Sequence, residues 1–137
     1  MKIDYSTEYQ GCFVCGKENS RGLKLDFFFD HKKNEVYTNV VFEEYMQGYN
    51  GIIHGGFITM LLDEVMAKAC LFADLPAVTA KLEVQFKRPA KIAEHLRFVG
   101  KLVERHGKRI KTEAECLNDS QELKAKAKAL FVMVEVK

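Results

Sequence analysis

A His-Gly-Gly tripeptide, His54-Gly55-Gly56, and an acidic pair, Asp63-Glu64, are the residues of this chain whose types and spacing could do chemistry. The tripeptide leads into, and the acidic pair lies within, one apolar stretch that reads as a helix. The first N–H groups of a helix have no intrahelical partner, and the helix dipole favours negative charge at that end. Gly55 and Gly56 leave the end sterically open, so a carbonyl could approach either backbone N–H, and an oxyanion formed on attack would be held there. The alternative for the glycine pair is tight packing against another backbone.

Asp63 stands out from its neighbour. On a helix, Gly56, Thr59, Asp63 and Ala67 form one seam of small or polar side chains along an otherwise apolar rod. Glu64 points about 100° away and has Lys68 four residues on, the favourable order for a helix ion pair. Asp63 has no cation at i±4. A carboxylate on a buried seam is costly unless it is hydrogen-bonded or put to use, which leaves a catalytic base or nucleophile and a structural, hydrogen-bonded Asp as the two readings. The nine residues from His54 to Asp63 span about 13 Å of helix, too far for both to act on one carbonyl. If they share a site they come from different subunits, with two equivalent sites across a symmetric dimer. His54 could orient the loop, bond a substrate or cap the helix, and positioning suits it better than proton transfer.

No HxH or HxxxH pattern accompanies His54, and His31, His95 and His106 fall in turn or strand contexts, so no metal is expected. Cys12-Phe13-Val14-Cys15 has CxxC spacing. Neither Cys70 nor Cys116 supplies a second ligand pair at suitable spacing, so buried thiols packing the N-terminal segment are the main expectation, with a metal half-site or a disulfide as alternatives.

These residues need elements to position them. Residues 1–22 read as irregular. Leu23–Phe29 and Glu35–Phe42 are rich in β-branched and aromatic residues around the polar turn Asp30–Asn34, and predict a hairpin. Phe57–Ala73, seventeen residues without Gly or Pro and apolar nearly all round, predicts a helix that other elements must wrap. Four strands follow at Val78–Lys87, His95–Arg105, Arg109–Leu117 and Glu122–Val136, read as an antiparallel meander. In the last, Lys124, Lys126 and Lys128 alternate with Ala125, Ala127 and Ala129, one wet face and one dry. The sum is an α+β domain spanning 1–137, a curled antiparallel sheet around one long buried helix.

A chain of 137 residues, 47% hydrophobic and 29% charged, is too apolar for a disordered protein and leaves room for one core. No stretch approaches a membrane span and the start has no apolar leader pattern, so a cytoplasmic protein without membrane contact is expected. The net charge of +2 divides unevenly: 7 Lys/Arg against 11 Asp/Glu through residue 80, then 14 against 8. The basic second half suits an anionic partner. Its charges are dispersed along strands with few interleaved aromatics, so a phosphorylated small molecule fits better than nucleic acid.

CFVCGKENSRGLKLDF, then QGYNGIIHGGFITMLLDE, then VTAKLEVQFKRP resemble the hotdog-fold acyl-CoA thioesterases of the phenylacetyl-CoA thioesterase type, in the branch with a Cys-rich N-terminal segment. The resemblance covers Cys12 to Pro89 and the remaining strands fit in order. It implies thioester hydrolysis of an acyl-CoA to free acid and CoA, without a cofactor, in a homodimer or a dimer of dimers. By that resemblance the Gly55 N–H polarises the carbonyl, Asp63 of the opposite subunit is nucleophile or general base, and the Thr79 hydroxyl helps to hold the water. The substrate-binding positions expected beside them are Gln47, Asn50, Gly56, Glu64, Lys87 and Arg88. Relatives of this type often carry Asn six residues before the His; this chain has Gly48 there, with Gln47 or Asn50 as substitutes. A hotdog protein that binds acyl-CoA without turning it over is the alternative function.

Overall fold

A computed structural model describes residues 9–134, so the first residues of the irregular N-terminal segment and the end of the last predicted strand lie outside the described residues. The elements run β1 (Phe28–Asp30), β2 (Glu35–Val41), α1 (Gly55–Phe72), β3 (Ala77–Phe86), β4 (His95–His106), β5 (Arg109–Asn118) and β6 (Leu123–Met133). The strands form one antiparallel sheet in the order β1-β2-β4-β5-β6-β3.

Two expectations about the strands are corrected. The first strand shrinks to three residues, because Leu23 and Leu25 instead pair their N–H groups with Phe13 and Val14 of the N-terminal segment. The meander holds for β4-β5-β6 only. α1 carries the chain across the sheet, so β3 pairs with the outer side of β6 and becomes an edge. Among the described residues no strand pairs with the outer edge of β3.

The helix lies on the inner face of the sheet, chiefly over β4 and β5. Its core side is Ile58, Leu61, Leu62, Val65 and Met66, packed against Phe98, Ile110, Phe131 and the small residues Ala114, Ala125, Ala127 and Ala129. Small residues on the strands let the helix backbone come close. The tightest approach is at Gly100 of β4, where a Cβ would sit 2.6 Å from the Val65 carbonyl oxygen. The far end of α1 closes in a Schellman arrangement: Asp74 takes a φ of 61°, its N–H bonds the Leu71 carbonyl at 3.0 Å, and the Leu75 N–H bonds Cys70 at 2.9 Å.

The wet and dry alternation of β6 holds for Ala125, Ala127 and Ala129 against Lys126 and Lys128, but Lys124 departs from it. Its ammonium is buried, 2.7 Å from Glu122, 3.3 Å from Glu94 and 3.2 Å from the Pro89 carbonyl. Burial alone would lower its pKa; the bonds from Glu122 and Glu94 outweigh burial and hold it above the ordinary lysine value. A charge can lie on a dry face only when paired in this way.

Candidate active site

α1 starts two residues before the predicted run, and its start is built by His54. The His54 N–H bonds the Met46 carbonyl at 3.0 Å, and its Nδ1 accepts the Gly56 N–H at 2.8 Å, an N-cap made by an imidazole. That bond places the ring proton of neutral His54 on Nε2. It also takes Gly56 out of the set of free donors. The Gly55 N–H has no hydrogen-bond partner among the described residues and opens on a cleft of about 660 Å³ lined by Gly48, His54, Phe86, Lys87, Arg88 and Lys124 among others.

The preceding loop explains how His54 is held without an Asn at position 48. A Cβ on Gly48 would lie 3.3 Å from the His54 Cα, so glycine lets the loop pack against the histidine backbone. Gln47 turns its side chain to accept the Gly51 N–H at 3.0 Å, and Asn50 is exposed in the same turn. The far side of the loop hangs on the Pro89–Lys91 segment through the Ile53 N–H, bonded to the Ala90 carbonyl at 2.8 Å. That segment is in turn bonded by Lys124 through Pro89.

Asp63 lies two turns further along the helix. It is half-buried, and the seam it belongs to, with exposed Gly56 and half-buried Thr59 and Ala67, is not covered by this chain. The expectation of a buried seam is corrected in that sense: the sheet wraps the opposite sides of α1 and leaves this one beside the β3 edge. Thr79 of β3 donates its hydroxyl to Asp63 Oδ1 at 2.6 Å, so the hydroxyl bonds the carboxylate itself. It reaches there because the β3–β6 register slips between Thr79 and Lys81, a bulge that re-aims the strand.

Glu64 faces away from this seam. It pairs with Lys68 at 3.2 Å, as its spacing implied, and its Oε1 lies 4.0 Å from the Cys12 sulfur. The Lys68 ammonium is buried, 3.3 Å from Cys15 Sγ and over the rings of Tyr9 and Phe27. The Cys12, Cys15 and Glu64 donor atoms lie within 4.8 Å of one another, a set that could hold a metal ion. Lys68 opposes that. A divalent ion about 4 Å from a fixed ammonium is repelled by on the order of 8 kcal/mol at an effective dielectric constant of 20.

The structure thus brings His54, Gly55, Lys87 and Arg88 to one cleft and Asp63 with Thr79 to another part of the same surface. Two residues of the cleft escaped sequence reasoning. Phe86, 57% exposed, lies over Gly55, with its ring 3.3 Å from where a Cβ would be. Lys124 lines the cleft from a position that period two assigns to the wet face. Neither has a sequence signal beyond its residue type.

The comparisons with known proteins bear on the fold and the family. A crystal structure described as a thioesterase superfamily protein superposes with a TM-score of 0.84 at 27% identity, covering 90% of this chain and 60% of that one. An uncharacterized protein of Schizosaccharomyces pombe is 37% identical over 92 residues, 62% of this chain and 52% of that one. The acyl-coenzyme A thioesterase THEM4 of Rattus norvegicus is 23% identical over 124 residues, 90% of this chain and 54% of that one. The chain spans about half the length of the curated relatives it matches. The antiparallel sheet wrapped on a single helix is the hotdog fold of these thioesterases. A thioesterase superfamily model matches residues 50–125, more than half of the chain and the stretch from the His54 loop to the start of β6, and the chain belongs to that superfamily.

Proposed function

We propose that the chain hydrolyses an acyl-CoA thioester to the free acid and CoA, at two equivalent sites shared across a homodimer. The observation that carries this reading is the pairing of an open Gly55 N–H at the start of α1 with an Asp63 carboxylate oriented by Thr79, both reachable from outside one chain. The eight residue steps from Gly55 to Asp63 span about 12 Å of helix, so one substrate meets both only if a second copy supplies one of them. The edge strand β3 supports such pairing, since it ends the sheet beside Asp63 and exposes Val78 and Phe86.

A thioester has a good leaving group and needs chiefly a polarised carbonyl and an attacking oxygen. The Gly55 N–H at the positive end of α1 holds the developing oxyanion. Asp63 of the other subunit attacks, or takes a proton from the attacking water, while the Thr79 hydroxyl holds one carboxylate oxygen and leaves the other for the reaction. His54 acts by fixing the cap. Lys87 and Arg88, at the cleft mouth, offer positive charge to the phosphates of CoA; Arg88 also faces Glu122 at 3.7 Å. The THEM4 relative, an acyl-coenzyme A thioesterase, supports the substrate class.

Thiol release from a panel of acyl-CoAs tests the reading, with Asp63→Asn expected inactive and Glu64→Gln active. Binding of every acyl-CoA without thiol release would favour the non-catalytic alternative. Loss in Glu64→Gln with retention in Asp63→Asn would overturn the choice of carboxylate. Mixing Asp63→Asn with Gly55→Pro creates hybrid dimers with one intact site, so an equal mixture recovers about a quarter of the wild-type rate after random exchange of subunits. No recovery after verified exchange would refute the shared site.

A further inference from the structure

The CxxC turn takes no part in the proposed hydrolysis. Its geometry is that of a single helical turn, closed by the Gly16 N–H on the Cys12 carbonyl at 2.8 Å. The two sulfurs already lie within 4.8 Å of each other, so a slight tightening of the turn brings the Cβ atoms to the roughly 3.5–4.5 Å that a disulfide requires. The two thiols differ in access. Cys12 is half-buried and Cys15 is fully buried, the division between an outer thiol that attacks and an inner one that resolves. Glu64 and Lys68, 52 and 53 residues away in sequence from Cys12 and Cys15, complete the cluster.

We propose that Cys12 and Cys15 are a redox-active dithiol, converted to an intramolecular disulfide by low-molecular-weight disulfides, with Glu64 as the group that accepts the Cys15 proton. The Cys12 thiolate attacks one sulfur of the small disulfide, whose S–S bond breaks, and the first small thiol departs with the electron pair and takes up a proton. Cys15 then gives its proton to the Glu64 carboxylate and attacks the Cys12 sulfur of the mixed disulfide. The second small thiol leaves and recovers that proton. Two protein thiols and one small disulfide become one protein disulfide and two small thiols, so two electrons leave the protein and none are left over.

Glu64 is needed because burial pushes the Cys15 thiol up to about 12, an effect that the nearby Lys68 ammonium only partly offsets. A thiol held so high does not ionise by itself at neutral pH, whereas a carboxylate in the same cluster can take its proton as the S–S bond forms. Lys68, 3.3 Å from Cys15 Sγ, steadies the charge during the step. The product disulfide is neutral and leaves the Glu64–Lys68 pair intact, so oxidation buries no unpaired charge. A metal ion in the same place meets the Lys68 ammonium. The dithiol stands on different atoms from the Gly55 and Asp63 site and does not depend on the hydrolysis.

The test uses the full-length protein, reduced and treated with a chelator, then exposed to glutathione disulfide, denatured and alkylated. The four free cysteines should fall to two alkylated ones, with Cys12 and Cys15 linked in one peptide. Cys15→Ser should stop at a mixed disulfide on Cys12, Cys12→Ser should stay reduced, and Glu64→Gln should slow resolution of the mixed disulfide at least tenfold. Four alkylated cysteines in the wild type, under conditions that oxidise a free CxxC peptide, would overturn the proposal. So would a stable wild-type mixed disulfide, or protection of both thiols that appears only when zinc is added back and disappears with chelator.

Discussion

Gly55→Pro separates the donor from the fold. Proline removes the N–H and little else, because Gly55 is the first helical residue, where proline is favoured and no intrahelical bond is lost. The preceding His54, at φ −59° and ψ 131°, already has the extended conformation that a residue before proline adopts. The added ring meets Phe86, whose Cζ would be 3.3 Å from the new Cβ, but that side chain is 57% exposed and can swing outward. A compatible proline stabilises by about 0.4–1 kcal/mol through the unfolded chain, so the crowding and the gain roughly cancel and stability should stay within about 1 kcal/mol of wild type. Removing one oxyanion donor costs about 2.7–4 kcal/mol, or about 100–1,000-fold in turnover. The matched control is Gly55→Ala, which adds the same Cβ and keeps the N–H; it should retain most activity. Urea unfolding measures the first quantity and thiol release from acyl-CoA the second. If Gly55→Pro folds normally and turns over within about twofold of Gly55→Ala, the Gly55 N–H is not the donor.

Other perturbations follow from the same contacts. Thr79→Val removes the 2.6 Å hydroxyl bond to Asp63; bonds to charged groups are worth about 1.5–3 kcal/mol, so kcat should fall about 10–100-fold with little change in KM, and an unchanged kcat would refute the orienting role. Gly100→Ala places a methyl 2.6 Å from the Val65 carbonyl, backbone against backbone, and should cost at least about 1–3 kcal/mol in urea unfolding. Lys124→Met leaves Glu94 and Glu122 without their ammonium and should cost about 2 kcal/mol near neutral pH, at the low side for a buried pair because both carboxylates reach water. Its pH dependence has a defined sign. Burial raises the Glu94 pKa, but bonds from the Lys91 N–H, Asn118 and Lys124 outweigh it and hold the carboxylate below its ordinary value; Glu122 is lowered chiefly by its bond to Lys124. Their contribution is present above the ordinary carboxylate value of about 4.3 and is lost as pH falls through the folded values, while that of Lys124, raised in the fold, is lost as pH climbs past about 10.4. The difference between wild type and Lys124→Met in unfolding free energy should be a plateau that declines at both ends; a difference independent of pH would contradict the pairing.

The helix and most strands are legible in the sequence because each is declared by local periodicity. The apolar run after His54-Gly55-Gly56 has no breaker, and Ala125, Ala127 and Ala129 alternate with Lys126 and Lys128. The acidic pair sorts itself by spacing alone: Glu64 has Lys68 one turn on, and the structure joins them. Lys124 escapes because period two assigns it to water, whereas Pro89 and Glu94 of the β3–β4 connection, with Glu122 just before β6, draw its ammonium in. The sequence seam of Gly56, Thr59, Asp63 and Ala67 is real, but whether this chain covers it depends on which edge receives β3.

By itself the sequence determined the element types, the open start of α1 and the exceptional position of Asp63, since these follow from residues a few places apart whose geometry the backbone dictates. Tertiary structure decided which N–H groups at that start are free, because His54 folds back on Gly56 and leaves Gly55. It also placed Thr79 on Asp63 through a bulge and gathered Cys12, Cys15, Glu64 and Lys68 into one cluster. Contacts between residues sixteen or fifty positions apart depend on strand register and chain crossing, and no local pattern encodes those.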